Sequence, residues 1–277
     1  MRAAWSEASI PEEGGTRGKH GFPRATEQPP EAVAEEGSNG AAERAGGRRG
    51  VNDVDLVVVE NAQEVASAVA ERLARAAKEG GNVVLTGGKT PEQAYQQAAK
   101  READWSNVEL WWGDERCVPP DDERSNYGMA KRALLDRIER DPRAVHRIKG
   151  ELGKEEAAAN YDRELDDARL DVLLLGVGPD GHVASLFPNA PTLGRRECVL
   201  PAEAGLEPFV DRVTLSVPTL RSAREILFLL AGPEKAEAAM RAFAAAPSPD
   251  TPASLVRAEN GRTTAILDRA AAAKLPA

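Results

Sequence analysis

The sequence is poor in the residues that several kinds of protein require. It holds two cysteines, Cys117 and Cys198, in 277 residues. Two thiols make neither a disulfide framework nor a four-cysteine zinc site, and they read as reduced thiols of a cytoplasmic protein. No apolar run approaches the roughly 18 residues that a membrane-spanning helix needs, and the first residues lack the apolar centre of a secretion signal. Basic residues are also outnumbered, 36 Lys plus Arg against 45 Asp plus Glu, for a formal charge of −9. Binding a nucleic-acid backbone requires a basic surface, so nucleic acid and membrane are both excluded as expected partners. An anionic small molecule is not excluded, because a few local cations can outvote the global charge.

What is present divides at about residue 50. The first fifty residues carry nine of the 24 glycines and four prolines, with Ile10 and Val33 as their large aliphatics. Such a stretch cannot bury enough apolar surface to offset its ordering entropy, so 1–50 is expected to be a disordered N-terminal extension. Residues 51–277 are expected to form one α/β domain, as a monomer or weak dimer.

Within that domain, short β-branched runs alternate with helix-period segments. Strands are expected at 55–59, 82–86, 108–112, 145–148, 170–175, 212–217, 225–230 and 263–267. Helices are expected at 62–78, where Val65, Val69, Leu73 and Ala76 share one face, and at 91–100, 127–138, 154–167 and 233–243. Leu170–Leu175 is the most apolar strand and so the sheet centre. This alternation implies a mostly parallel, Rossmann-like sheet with helices on both faces. In such sheets ligands bind at the carboxyl ends of the strands, which is where the unusual residues lie.

After the second strand comes Thr86-Gly-Gly-Lys-Thr-Pro91. Thr90 reads as an N-cap, Pro91 as N1 and Gln93 as the partner in a capping box. A helix N-terminus behind Gly87 and Gly88 is a phosphate-binding design, or else simply a well-capped turn. It is not a nucleotide P-loop, because the required glycine five residues before Gly88 is Val83. After the third strand, Asp114, Glu115 and Arg116 offer a guanidinium to clamp a phosphate and a carboxylate to orient a hydroxyl or hold Arg116. The alternative is a solvated strand end. Asn126, after the following loop, reads as a helix cap.

The richest segment is Leu175-Gly-Val-Gly-Pro-Asp-Gly-His-Val-Ala-Ser-Leu-Phe187. Gly176, Gly178 and Gly181 spell a dinucleotide fingerprint, but Pro188 and Pro191 cut short the helix that fingerprint needs. His182, of the three histidines His20, His146 and His182, is the one set in a plausible site. An imidazole titrates near neutrality and can take a proton from water and return it to a leaving group. Asp180 would orient it or shape the turn. No metal is expected, since neither cysteine stands at ligand spacing from a histidine pair. A serine-hydrolase elbow, G-x-S-x-G, is absent. Further on, Lys235 follows Gly232 and Pro233 in a first helical turn, where a cation opposes the helix dipole unless an anion is bound. The same reasoning applies to Lys89.

Taken together, Leu85–Pro91, Trp112–Arg116 with Ser125-Asn126, Gly176–Pro188, Arg212-Val-Thr214 and Ala231–Lys235 resemble the 6-phosphogluconolactonase family. The resemblance implies the fold shared with glucosamine-6-phosphate deaminases and ribose-5-phosphate isomerases. It also implies a cofactor-independent hydrolase acting on 6-phospho-D-glucono-1,5-lactone. Carried over, His182 matches the general base and acid, Arg116 and Lys235 the phosphate-binding cations, and Gly87, Gly88 and Thr90 the glycine loop. Lys89 stands where the family commonly has Ser, and Val183 replaces a common Thr. Glu203–Asp211 replaces the usual proline-rich stretch. An amino-sugar phosphate deaminase or isomerase of the same fold, or a non-catalytic sugar-phosphate sensor, is the competing reading.

Overall fold

The computed structural model describes residues 48–49 and 54–276, apart from positions 102, 167, 206 and 208. The expected disorder of the N-terminal extension falls outside the described residues, except that Arg48–Arg49 form a short strand, β1.

Among the described residues, eleven strands and six α-helices follow in order. The strands are β1, β2 (Val54–Val59), β3 (Gly81–Leu85), β4 (Val108–Trp112), β5 (Asp114–Arg116), β6 (Ala144–Val145), β7 (Leu170–Leu175), β8 (Val199–Ala202), β9 (Arg212–Leu215), β10 (Glu225–Leu230) and β11 (Arg262–Asp268). The helices are α1 (Ala62–Glu79), α2 (Lys89–Ala98), α3 (Asn126–Ala133), α4 (Lys154–Leu165), α5 (Val217–Arg221) and α6 (Ala236–Phe243). The first helix shows how the sequence sets an element. Asn61 accepts the Glu64 N–H at 3.1 Å, the Glu64 carboxylate accepts the Glu60 N–H at 3.1 Å, and Gly80 ends the helix at φ 75°. Between these stops, Val65, Val69, Leu73 and Ala76 are buried along one stripe, as expected.

The main sheet runs β1-β2-β11-β10-β7-β3-β4-β6, and every pairing in it is parallel except β1 with β2. β7 lies between β3 and β10, and its last four residues are buried, as the apolar run Leu170–Leu175 predicts. From β3 the chain steps outward to β4, while from β7 it steps the other way to β10 and β11. Right-handed crossovers therefore put α1 and α2 on one face and α6 on the other. The reversal of direction between β3 and β7 opens a crevice at their carboxyl ends.

Two tyrosines hold those strand ends. The Tyr95 hydroxyl of α2 donates to the Thr86 carbonyl at 2.8 Å and accepts the Thr86 N–H at 2.9 Å. The Tyr161 hydroxyl of α4 donates to the Trp112 carbonyl at 3.1 Å and accepts the Trp112 N–H at 2.8 Å. Both rings are buried, so backbone groups that leave the ladder just before the crevice are satisfied without water.

A second sheet, β5-β9-β8, is antiparallel and was not expected. Arg212–Val217, read as a strand of the parallel sheet, instead forms β9 at its centre. It stops at Leu215 because Ser216 caps α5. β5 is three charged residues and β8 contains Pro201. Neither has a strand signature, but β8 is an edge strand, where proline is tolerated. The strand expected at 145–148 is limited to Ala144–Val145. The helix expected from 233 begins as a single 3₁₀ turn, Pro233–Lys235, before α6.

Candidate active site

The loops after β3, β4, β7 and β10, with one face of the small sheet, enclose a cavity of about 560 Å³. Gly87, Gly88, Lys89, Thr90, Asp114, Arg116, His182 and Lys235 all line it. Asp180 does not; it stands behind the histidine.

The glycine loop corrects one expectation. Gly88, at φ 113°, is itself the N-cap of α2, and no side chain caps the helix. Thr90 and Pro91 therefore lie inside the first turn, and Thr90 with Gln93 forms no capping box. The left-handed-side turn that glycine allows starts the helix two residues earlier than a Thr cap would. The first intrahelical bond is Glu92 N–H to Gly88 carbonyl, 3.0 Å. The N–H groups of Lys89 and Thr90 thus have no intrahelical acceptor, and both residues, at the positive end of the helix dipole, line the cavity.

The β4–β5 corner is built from buried carboxylates. Glu115 accepts hydrogen bonds from the N–H groups of Arg116 (2.6 Å), Asn126 (2.8 Å) and Tyr127 (2.8 Å) and from the Ser125 hydroxyl (2.9 Å). It anchors the N-terminus of α3, whose side-chain cap is Ser125 rather than Asn126. Burial raises its carboxyl above the ordinary value, and the four donors oppose that shift. The Asn126 amide instead donates to the Asp114 carbonyl at 2.9 Å and to its carboxylate at 3.3 Å. Asp114 does not hold Arg116. Its other oxygen accepts the Ser185 hydroxyl at 2.7 Å. Arg116 Nη1 donates to the Arg124 carbonyl, while its buried Nε meets no acceptor among the described residues.

The loop after β7 folds back on itself. Gly178 N–H donates to the His182 carbonyl at 2.9 Å, and Gly181 N–H to the Gly178 carbonyl at 2.9 Å. A β-carbon on Gly178 would lie 2.1 Å from His182 Nδ1, so only glycine leaves room for the imidazole. His182 Nδ1 lies 2.6 Å from the Asp180 carboxylate, and its ring is tilted against Phe187 at 4.9 Å. A carboxylate at Nδ1 keeps the proton there, which leaves Nε2 with the lone pair. Burial would raise the Asp180 carboxyl, but the hydrogen bond and charge of His182, with two backbone N–H groups, outweigh it and hold it below its ordinary value. Beside this pair, Ala184 adopts φ 49°, a left-handed conformation costing about 1–2 kcal/mol. Ser185, bonded to Asp114 and through its N–H to Thr214 Oγ1 at 3.2 Å, keeps it there.

Lys235 closes the site. It donates to the Val177 carbonyl at 2.7 Å. Burial pushes its ammonium below the ordinary lysine value, against the pull of Glu234 and Asp180.

The family model described as glucosamine-6-phosphate isomerases/6-phosphogluconolactonase matches residues 52–265. The chain belongs to this family. A 6-phosphogluconolactonase of Streptomyces coelicolor is 40% identical over 247 residues, covering 80% of this chain and 94% of its own. One from Mycobacterium tuberculosis is 36% identical over 241 residues, covering 81% and 96%. The solved 6-phosphogluconolactonase of Thermotoga maritima has a TM-score of 0.68 at 29% identity, over 77% of this chain and 98% of that one. A monomeric glucosamine-6-phosphate deaminase shares the fold, with a TM-score of 0.67 at 22% identity over 79% and 99%.

Sequence reasoning overlooked part of the cavity's lining. Arg212 and Asp268 line the cavity from the ends of β9 and β11. Asp268 accepts the Gly232 N–H at 3.0 Å and the Ala271 N–H at 2.7 Å. Its position at a strand's carboxyl end was a usable signal. Ser185 stood inside the Gly176–Pro188 motif, but its role was not readable, since its partner is 71 residues away. Among the described residues, no group of three or more His, Cys, Asp or Glu is arranged to hold a metal ion, and no helix is long and apolar enough to cross a membrane.

Replacing Ser185 with Ala leaves a buried carboxylate oxygen short of a donor. Urea unfolding is expected to show a loss of about 1.5–3 kcal/mol, and unchanged stability would mean that the Asp114 tether is not a structural bond.

Proposed function

We propose that the chain hydrolyses 6-phospho-D-glucono-1,5-lactone to 6-phospho-D-gluconate, with His182 as general base and acid. The single observation that carries this reading is an imidazole whose Nδ1 is held by Asp180, set in a cavity that also holds cations and the free N-terminus of α2. The substrate phosphate sits on the Gly87–Thr90 turn, with Arg116 and Lys235 as counter-charges and Lys89 at the rim.

With the phosphate fixed, the lactone carbonyl is held near His182. Nε2 takes a proton from water as the water oxygen bonds to the carbonyl carbon. The oxyanion that forms faces backbone N–H groups of the glycine-rich turns. The intermediate collapses by breaking the bond from that carbon to the ring oxygen, which takes the proton back from His182. The new carboxylic acid releases its own proton to solvent. Asp180 stabilises the imidazolium between the two transfers. Holding the substrate by its phosphate converts a slow bimolecular attack into a step within one complex.

Freshly prepared lactone, followed by proton release and corrected for spontaneous hydrolysis, tests the reading. Saturable turnover is expected, with no ammonia from glucosamine 6-phosphate. Ammonia release without lactone hydrolysis would overturn it in favour of the deaminase chemistry of the same fold.

The depressed Lys235 ammonium adds a pH dependence. It is charged below its pKa and neutral above it, so phosphate binding weakens as pH rises through that value. Calorimetric titration with 6-phosphogluconate should show Kd rising from a pH below the ordinary lysine value of about 10.4. The rise should vanish in Lys235→Arg. A profile identical in both proteins would remove Lys235 from the phosphate site.

A further inference from the structure

The small sheet sets two arginines opposite each other. β5 and β9 are antiparallel with Arg116 facing Arg212 and Asp114 facing Thr214. Residues two apart on a strand share a face, and directly opposed residues share it too. Asp114, Arg116, Arg212 and Thr214 therefore form one four-residue block, while Glu115 points away to α3. Asp114 and Thr214 hold the histidine loop through Ser185. Asp114, Arg116 and Arg212 line the cavity.

Like charges directly across a ladder are destabilising, and here one of them is also buried: Arg212 is 5% exposed. Its Nε donates to the Val210 carbonyl at 3.0 Å, which fixes the plane of the guanidinium. Burial, and then the charge of Arg116, hold its guanidinium below the ordinary arginine value, while Asp114 and Glu115 pull the other way. An oxyanion lying against both guanidinia would offset the repulsion and part of the desolvation at once.

We propose that Arg212 binds the substrate phosphate together with Arg116, as a cross-strand pair that selects a phosphorylated lactone over an unphosphorylated one. The proposal rests on the lactonase reading for the substrate, but its anion site is testable without turnover. Arg212 is a binding residue here and takes no part in proton transfer.

The test compares wild type with Arg212→Gln and Arg212→Lys. It uses calorimetric titration with inorganic phosphate and with gluconate, steady-state hydrolysis of the phosphorylated lactone, and thermal melting. Losing a charge-assisted fork should weaken phosphate binding and raise KM by roughly 10- to 100-fold, with kcat and gluconate binding little changed. Arg212→Lys, which keeps charge but not the fork, should fall between. If Arg212→Gln does not fold, Arg212→Lys decides: unchanged phosphate affinity overturns the proposal. A folded Arg212→Gln with wild-type phosphate affinity, or one that loses kcat while keeping that affinity, also overturns it, the latter by showing that Arg212 merely supports β5. Wild-type protein that binds phosphate through Arg212 but turns over no lactone would sink the functional reading and leave this site standing.

Discussion

The buried Asp114 carboxylate is the joint on which the rest of the site depends. One oxygen takes the Ser185 hydroxyl and the other the Asn126 amide. Through these bonds a strand of the small sheet holds the histidine loop on one side and the start of α3 on the other. The cost of burying a carboxylate is met by these donors. Without Ser185 the left-handed turn at Ala184 keeps its Val183–Leu186 backbone bonds but loses its side-chain tie to the small sheet. Asp114 thus acts through others, although it also reaches the cavity.

The global charge of −9 is not repeated in the cavity, where cations and acids are equal in number. Lys89, Arg116, Arg212 and Lys235 converge on one crevice with four acids, Asp114, Glu207, Glu234 and Asp268; of these, Asp114 and Asp268 spend their oxygens on neighbouring donors. Inside the crevice, burial of Arg212 and partial burial of Arg116 and Lys235 strengthen their interaction with a small anion. Three locally unfavourable choices are a cation beside a helix N-terminus, a half-buried lysine and two facing arginines. All are found at this crevice, as expected where function outweighs local stability.

The parallel sheet was legible because its strands carry their own signal. Leu170–Leu175 and Glu225–Leu230 are apolar on both sides, and their bounds in the structure are those read from the sequence. The small sheet was not legible, because β5 and β8 are strands by virtue of β9, and neither Asp-Glu-Arg nor a segment with Pro201 proposes itself. The site divides the same way. His182, Asp180, the glycine turn and the cations at strand ends were visible from chemistry and position. Asn126 was visible but assigned to capping, a role that Ser125 fills. Ser185 and Arg212 stood in quoted motifs, but their roles needed tertiary contacts, since their meaning lies in Asp114 and Arg116, far away in the chain.

The central claim is that His182 moves the proton while other groups hold the phosphate, and separating kcat from binding in His182→Ala tests it most directly. Turnover of fresh 6-phosphogluconolactone, corrected for spontaneous hydrolysis, should fall by about 100- to 10,000-fold, with 6-phosphogluconate affinity essentially retained. Retained turnover, or a loss explained entirely by weaker binding, would contradict the account.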